Sequence, residues 1–201
     1  MARKTFFSFH YKRDVWRVSQ VRNSNVVAND DKVGFIDDAE WEKIEREGRE
    51  AIKRWINAQI KGTTVTVVLI GAETAEREWV DYEIRRSWEQ GNGILGIYID
   101  KVLDSDRKPD RRGKNPLDQV VLKTGKPLSS ICKTYCWVDN NGRENLGKWI
   151  EQAYSDREEF KGETGLIDGD DKTETGSGAA IAKAAVGPVV INSPSRPWAR
   201  R

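Results

Sequence analysis

Residues 64–71, TVTVVLIG, constrain this chain more than any other stretch. Val65, Val67, Val68, Leu69 and Ile70 place apolar groups on both faces of any strand formed there. β-Branched residues favour extended backbone, and a strand apolar on both faces must be covered on both sides, as in a parallel sheet with helices above and below it. KTFFSF (4–9) and ILGIYI (94–99) have the same character, ICKTYCWV (131–138) reads as the last strand, and Val26 and Val27 mark a short one. Helical patterns separate these runs. The expectation is an α/β, flavodoxin-like, doubly wound parallel sheet of about five strands with helices on both faces.

Asp14 is placed to cap a helix over DVWRVSQVR, and Asp38 to cap AEWEKIEREGREAIKRWINAQIK. In the second of these Trp41, Ile44, Ala51, Ile52, Trp55, Ile56 and Ile60 recur near the 3.6 period, and Gly62 is a natural stop. A third helix spans about 75–90 and ends at Gly91-Asn92-Gly93; NLGKWIEQAY begins the last one. NSNVVANDDKVGFIDD is mostly loop. DSDRKPDRRGKNP is too polar for a core and reads as an insertion loop before a short helix near Leu117–Leu122. Residues 1–160 are therefore expected to form one domain. From Lys161 the composition turns to Gly, Asp, Thr and Ala, so 161–201 are expected to be a flexible linker and C-terminal tail, with docking of Ala179–Ile191 on the domain or on a neighbouring subunit as the alternative.

With 34 Lys and Arg against 32 Asp and Glu, the net charge of +2 gives no electrostatic argument for nucleic acid or an anionic membrane. No run approaches the ~20 apolar residues of a membrane span, and none reads as a signal peptide. The expectation is a soluble, cytoplasmic protein. Cys132 and Cys136 read as reduced core thiols, and with His10 the only histidine, a Cys/His zinc site lacks ligands. No metal or cofactor is expected.

In the third helix Trp79, Val80, Ile84, Ser87 and Trp88 form an inward stripe, and Glu83, four residues after Trp79, lies on it. A carboxylate on a core face costs several kcal/mol unless a partner or a solvent-filled cleft receives it. Two readings stand: a salt bridge at the stripe's edge with Arg86 or Lys12, or a cleft carboxylate. In open α/β sheets ligands bind outside the carboxyl ends of the strands. Those ends supply Ser8, Phe9, His10 and Tyr11, the NDDKVGFIDD loop with Asp38, and Gly71-Ala72. Aromatic, hydroxyl and carboxylate groups suit a nucleoside. Neither GxGxxG after a strand nor GxxxxGK[ST] is present, so the usual phosphate-cradling loops are missing. A phospho-accepting receiver domain is excluded, because Ser8-Phe9 and Gly71 stand where it needs acids.

KTFFSFHYKRDVW, DDKVGFIDD, VTVVLIGAETAEREWVDYEI and GNGILGIYID, in this order, resemble the TIR-like domains of bacterial immune systems, and most closely the TIR subunit of Thoeris anti-phage defence. The resemblance spans roughly residues 3–155. It implies a TIR fold and cleavage of the N-glycosidic bond of NAD, releasing nicotinamide and giving a cyclised or otherwise modified ADP-ribose. Members use a glutamate in a Trp-x-x-x-Glu setting, which Trp79 and Glu83 match. Glu83 is thus the expected catalytic residue, and Ser8, Phe9, His10, Tyr11, Asp38, Trp41 and Trp79 are the expected substrate-binding residues. NAD enters as substrate. The implied partners are a separate effector protein reached through a diffusible nucleotide, a phage trigger protein and further copies of the chain. A non-catalytic TIR interaction module is the alternative; NDDKVGFIDD lacks the proline that animal signalling TIR domains carry in this loop, which weakens an adaptor-type reading.

Overall fold

The computed structural model describes residues 2–24, 43–160, 165–167 and 189–192. Its sheet contains β1 (Ala2–Ser8), β2 (Val65–Ile70), β3 (Gly93–Tyr98), β4 (Thr134–Cys136) and β5 (Val189–Asn192) in the order β4-β3-β2-β1-β5. The first four run parallel, with Ser8 opposite Val68 and Val68 opposite Gly96. β5 is antiparallel to β1, pairing Ala2 with Asn192 and Thr5 with Val189.

All six residues of β2 are buried, as its uninterrupted apolar pattern requires. Its two faces feed two cores. Val65, Val67 and Leu69 share one with Val18 and Val21 of α1 (Tyr11–Arg22) and with Leu146, Ile150 and Ala153 of α4 (Gly142–Glu159). Ile52, Ile56 and Ile60, one turn apart on α2 (Arg49–Ile60), join the same core. Val68 and Ile70 pack with Val80, Ile84 and Trp88 of α3 (Glu78–Glu89) and with Leu117, Val120 and Leu128. This is the doubly wound α/β arrangement expected from the alternation of strands and helices.

Several elements depart from the sequence reading. α1 begins three residues before Asp14, whose backbone N–H already donates to the His10 carbonyl; Asp14 lies inside the first turn and is fully buried, so it is not the cap. The helix expected to run unbroken from Asp38 is interrupted: residues 43–46 are helical, Gly48 takes φ +90, and α2 restarts at Arg49. A positive φ is open to glycine at little cost and cannot continue a right-handed helix. The helix expected near Leu117–Leu122 is a single 3₁₀ turn, Pro116–Asp118, whose first free N–H, that of Leu117, is taken by the Asn115 side chain. The last parallel strand, expected over 131–138, shrinks to Thr134–Cys136, because the N–H groups of Ile131 and Cys132 are still turned back onto Leu128 O and the chain turns again from Trp137 into α4.

The expected domain limit at 160 is not where the hydrogen bonding ends. Ile167 N–H donates to Val121 O and Lys123 N–H to Gly165 O, and β5 lies further on still, on the β1 edge. Val26, Val27, Asp38, Trp41 and the NDDKVGFIDD loop lie outside the described residues.

Candidate active site

β1 ends at Ser8, and α3 crosses the sheet on the face where that side chain projects. The hydroxyl of Ser8 donates to Glu83 Oε2 at 2.6 Å, and both residues are 0% exposed. Glu83 therefore sits on the inner stripe of α3 with a hydroxyl partner from β1, in a buried seat and not in an open cleft. Of the two salt-bridge partners considered, Arg86 turns to Glu89 at 3.3 Å.

One turn further along α3, a second polar group is seated in the same way. Ser87 accepts from Thr66 of β2 at 2.8 Å, and the amide of Asn92 donates to Thr66 at 3.1 Å and to Thr63 at 2.7 Å. The turn from β2 into α3 is held by Gly71 N–H, which donates to Thr74 Oγ1 at 2.9 Å. These bonds satisfy buried polar atoms and fix the position of α3 on the sheet.

Trp79 is buried on the same helix; Tyr82 meets its indole edge-on at 5.9 Å, and the Arg49 guanidinium lies 5.3 Å from the ring. Phe9 is buried and Tyr11 partly so, with ring centroids 6.1 Å apart. His10 occupies the N-cap position of α1 without a side-chain capping bond. Burial, reinforced by Arg77, lowers its pKa to about 4, so the imidazole is neutral near pH 7. Asp38 and Trp41 lie outside the described residues. The structure thus joins Ser8 directly to Glu83 and sets Phe9 against Tyr11.

Beside these residues lies a charged cluster that sequence reasoning missed. Asp14 is wholly buried, its carboxylate against Gly71 at the carboxyl end of β2, where an added Cβ would overlap it. Burial raises its pKa to about 6 against the pull of Arg17 and Arg13. Arg17 donates to the carbonyls of Val102 and Lys108 and to Asp104, while Arg13 holds Asp110 in a bidentate pair and reaches Glu73 at 3.1 Å. The segment expected to be a plain insertion loop is therefore fastened across the sheet's carboxyl edge, and Gly113 comes so close to Gly71 O that a side chain there would clash. The visible signal was the KRD triplet of α1 facing an Asp-rich loop.

A cavity of about 480 Å³ lies on another side of α3, lined by Asn57, Tyr82, Arg85, Arg86 and Glu89 with residues 166 and 167. Glu83 does not line it, and the arginines there are already paired with Asp81 and Glu89. The chemistry is better located by the carboxyl ends of the strands. Among the described residues no His, Cys, Asp and Glu cluster is arranged to hold a metal, and no helix is long and apolar enough to cross a membrane. Cys132 and Cys136 are free and buried, and burial pushes the Cys132 thiol up to about 12, as befits an inert core thiol.

Residues 6–104, which carry the end of β1 with Ser8 and all of α3 with Glu83, match the model of the TIR-like domain of the Thoeris protein ThsB. Over 191 residues the chain is 42% identical to ThsB1 of Bacillus cereus (strain MSX-D12), covering 75% of this chain and 100% of that relative, whose name provisionally assigns it cyclic ADP-D-ribose synthase activity. The chain belongs to the Thoeris ThsB TIR-like family. The doubly wound sheet is therefore a ThsB-type TIR-like fold, and the Ser8–Glu83 pair falls inside the segment that defines the family.

Proposed function

We propose that this protein cleaves the bond between nicotinamide and ribose in NAD and closes the remaining ADP-ribose into a cyclic product, with Glu83 as the catalytic carboxylate. The observation that carries this reading is a fully buried glutamate on the inner face of α3, held by a hydroxyl at the carboxyl end of β1, in a chain related to a protein named for cyclic ADP-D-ribose synthesis. The C1–N bond breaks with its electron pair leaving on nicotinamide, which departs neutral because it was cationic when bound. The ribosyl centre becomes oxocarbenium-like, and a carboxylate beside it stabilises that charge. A nucleophilic atom of the same ADP-ribose then bonds to C1 and a proton is released, so no oxidant or reductant is consumed. Glu83 is 0% exposed in the structure, and keeping water away from such a seat protects the oxocarbenium-like intermediate from hydrolysis. Phe9, Tyr11 and Trp79 supply aromatic surface near the nucleoside, with His10 acting as a neutral hydrogen-bonding group. The product serves as a diffusible signal to a separate effector protein in cytoplasmic anti-phage defence.

The test is incubation with NAD, using purified protein alone and with extract of phage-infected cells, with nicotinamide followed by chromatography and the product by mass and ring connectivity. Nicotinamide with a cyclic product supports the reading. No nicotinamide under either condition overturns it in favour of a TIR module acting by assembly.

A further inference from the structure

The sequence marks Ser8 as a substrate-binding residue, but the structure gives its hydroxyl another task. We propose that Ser8 is a positioning residue: it fixes the rotation of the Glu83 carboxylate and favours its charged form, and it makes no contact with substrate. The inference rests on the reading of Glu83 as the catalytic carboxylate.

Ser8 has one hydroxyl proton, and at 2.6 Å that proton is directed to Glu83 Oε2. Ser8 and Glu83 are equally buried at 0% exposure, and what separates their roles is that the one proton of the serine is already committed to the carboxylate. The glutamate side chain has three rotatable bonds, and anchoring one oxygen to the sheet sets the direction of the other. The anchor is rigid on both sides. Ser8 lies in register with Val68 in the parallel β1–β2 ladder, and α3 is held on β2 one turn away by the Thr66–Ser87 bond. A donor to a carboxylate also stabilises the ionised form relative to the protonated one. Supporting groups of this kind act through the group they orient, so their loss lowers turnover more than substrate affinity.

The experiment compares wild type, Ser8→Ala and Ser8→Thr, with Glu83→Gln as reference, through KM and kcat for nicotinamide release between pH 5 and 9. The carboxyl carbon resonance of Glu83 is followed in ¹³C-labelled resting protein over the same range. Ser8→Ala is expected to lower kcat by about 10- to 100-fold with KM within about twofold. It is also expected to move the acid limb of the profile and the Glu83 titration to higher pH, with Ser8→Thr restoring both. A rise in KM alone shows that Ser8 touches substrate and overturns the proposal, as does an unchanged Glu83 titration in Ser8→Ala. If wild type releases no nicotinamide, the functional reading fails while the carboxyl titration still decides whether Ser8 controls Glu83. If Ser8→Ala does not fold, Ser8→Cys, a similar shape with a weaker donor, takes its place with the same expected shift.

Discussion

The carboxylate of Asp14 is packed against Gly71 with neither oxygen accepting a hydrogen bond and only Arg17, 3.7 Å away, as a buried counter-charge. Its pKa near 6, against an ordinary 3.8, means that the fold prefers the protonated acid. The stabilising contribution is complete below the ordinary value and is lost as pH rises through about 6, so at neutral pH the residue is a buried charge that weakens the fold. Asp14→Asn is expected to raise the melting temperature at pH 7.5, by up to about 3 kcal/mol of stability, and to have little effect at pH 4. Thermal scans of both proteins across that range check it; a constant difference at all pH values would count against the titration of Asp14.

Gly71→Ala drives a methyl group into that carboxylate. The expected loss is about 1–3 kcal/mol, the usual range for overpacking. Shortening the opposing residue, as in Asp14→Ala combined with Gly71→Ala, is expected to recover much of it. A double-mutant cycle measured by denaturant unfolding reads the coupling, and simple additivity would show that the contact is not the cause.

Arg17 ties α1 to the segment after β3 through Val102 O, Asp104 and Lys108 O. Arg17→Met keeps much of the aliphatic volume but strands buried acceptors and Asp14, so a loss of about 2–4 kcal/mol is expected. Hydrogen exchange is expected to quicken at residues 102–110 before it changes in β2 or β3. Uniform quickening would mean that Arg17 supports the whole fold and not this segment.

Glu83→Gln preserves shape and removes the charge. Nicotinamide release is expected to fall at least about 100-fold while the melting temperature stays within a few degrees. Wild-type turnover in the variant, or an unfolded protein, would show that Glu83 does not have the assigned role.

Truncation after Phe160 removes β5 and the residue 165–167 pairing. The backbone of β1 then loses a hydrogen-bonding neighbour, and an open edge is a template for other strands. A drop of about 2–8 °C in melting temperature is expected, with earlier elution on size exclusion. Unchanged melting and elution would show that β5 contributes nothing to the sheet.

How well the sequence revealed each part depended on whether the deciding interaction was local. The buried run of β2 and the stripe of α3 each announce themselves within a dozen residues, and Glu83 stood out because it broke that stripe. Its partner could not be read off, because Ser8 meets it across 75 positions of chain. Asp14 matched a capping signal, yet helix geometry was set three residues earlier by the end of β1. The break at Gly48 lies among strong helix formers that mask it. The loop 104–116 was rightly judged too polar for a core, but two of its aspartates, Asp104 and Asp110, are held by Arg17 and Arg13 of α1, which composition alone does not reveal. β5 is four residues long and set in low-complexity surroundings, where no periodicity can develop.

The pairing of Ala2 with Asn192 gives the sheet a particular order of construction during biosynthesis. β1 leaves the ribosome first, and its parallel partner β2 can join it while the rest of the chain is still being made. The other edge of β1 waits for residues 189–192, and loop-closure entropy grows only slowly with loop length, so the long separation adds a modest cost once they arrive. A nascent chain stalled before residue 189 therefore lacks the β5 partner of β1, the strand that carries Ser8, and an open strand edge is a template for neighbouring chains.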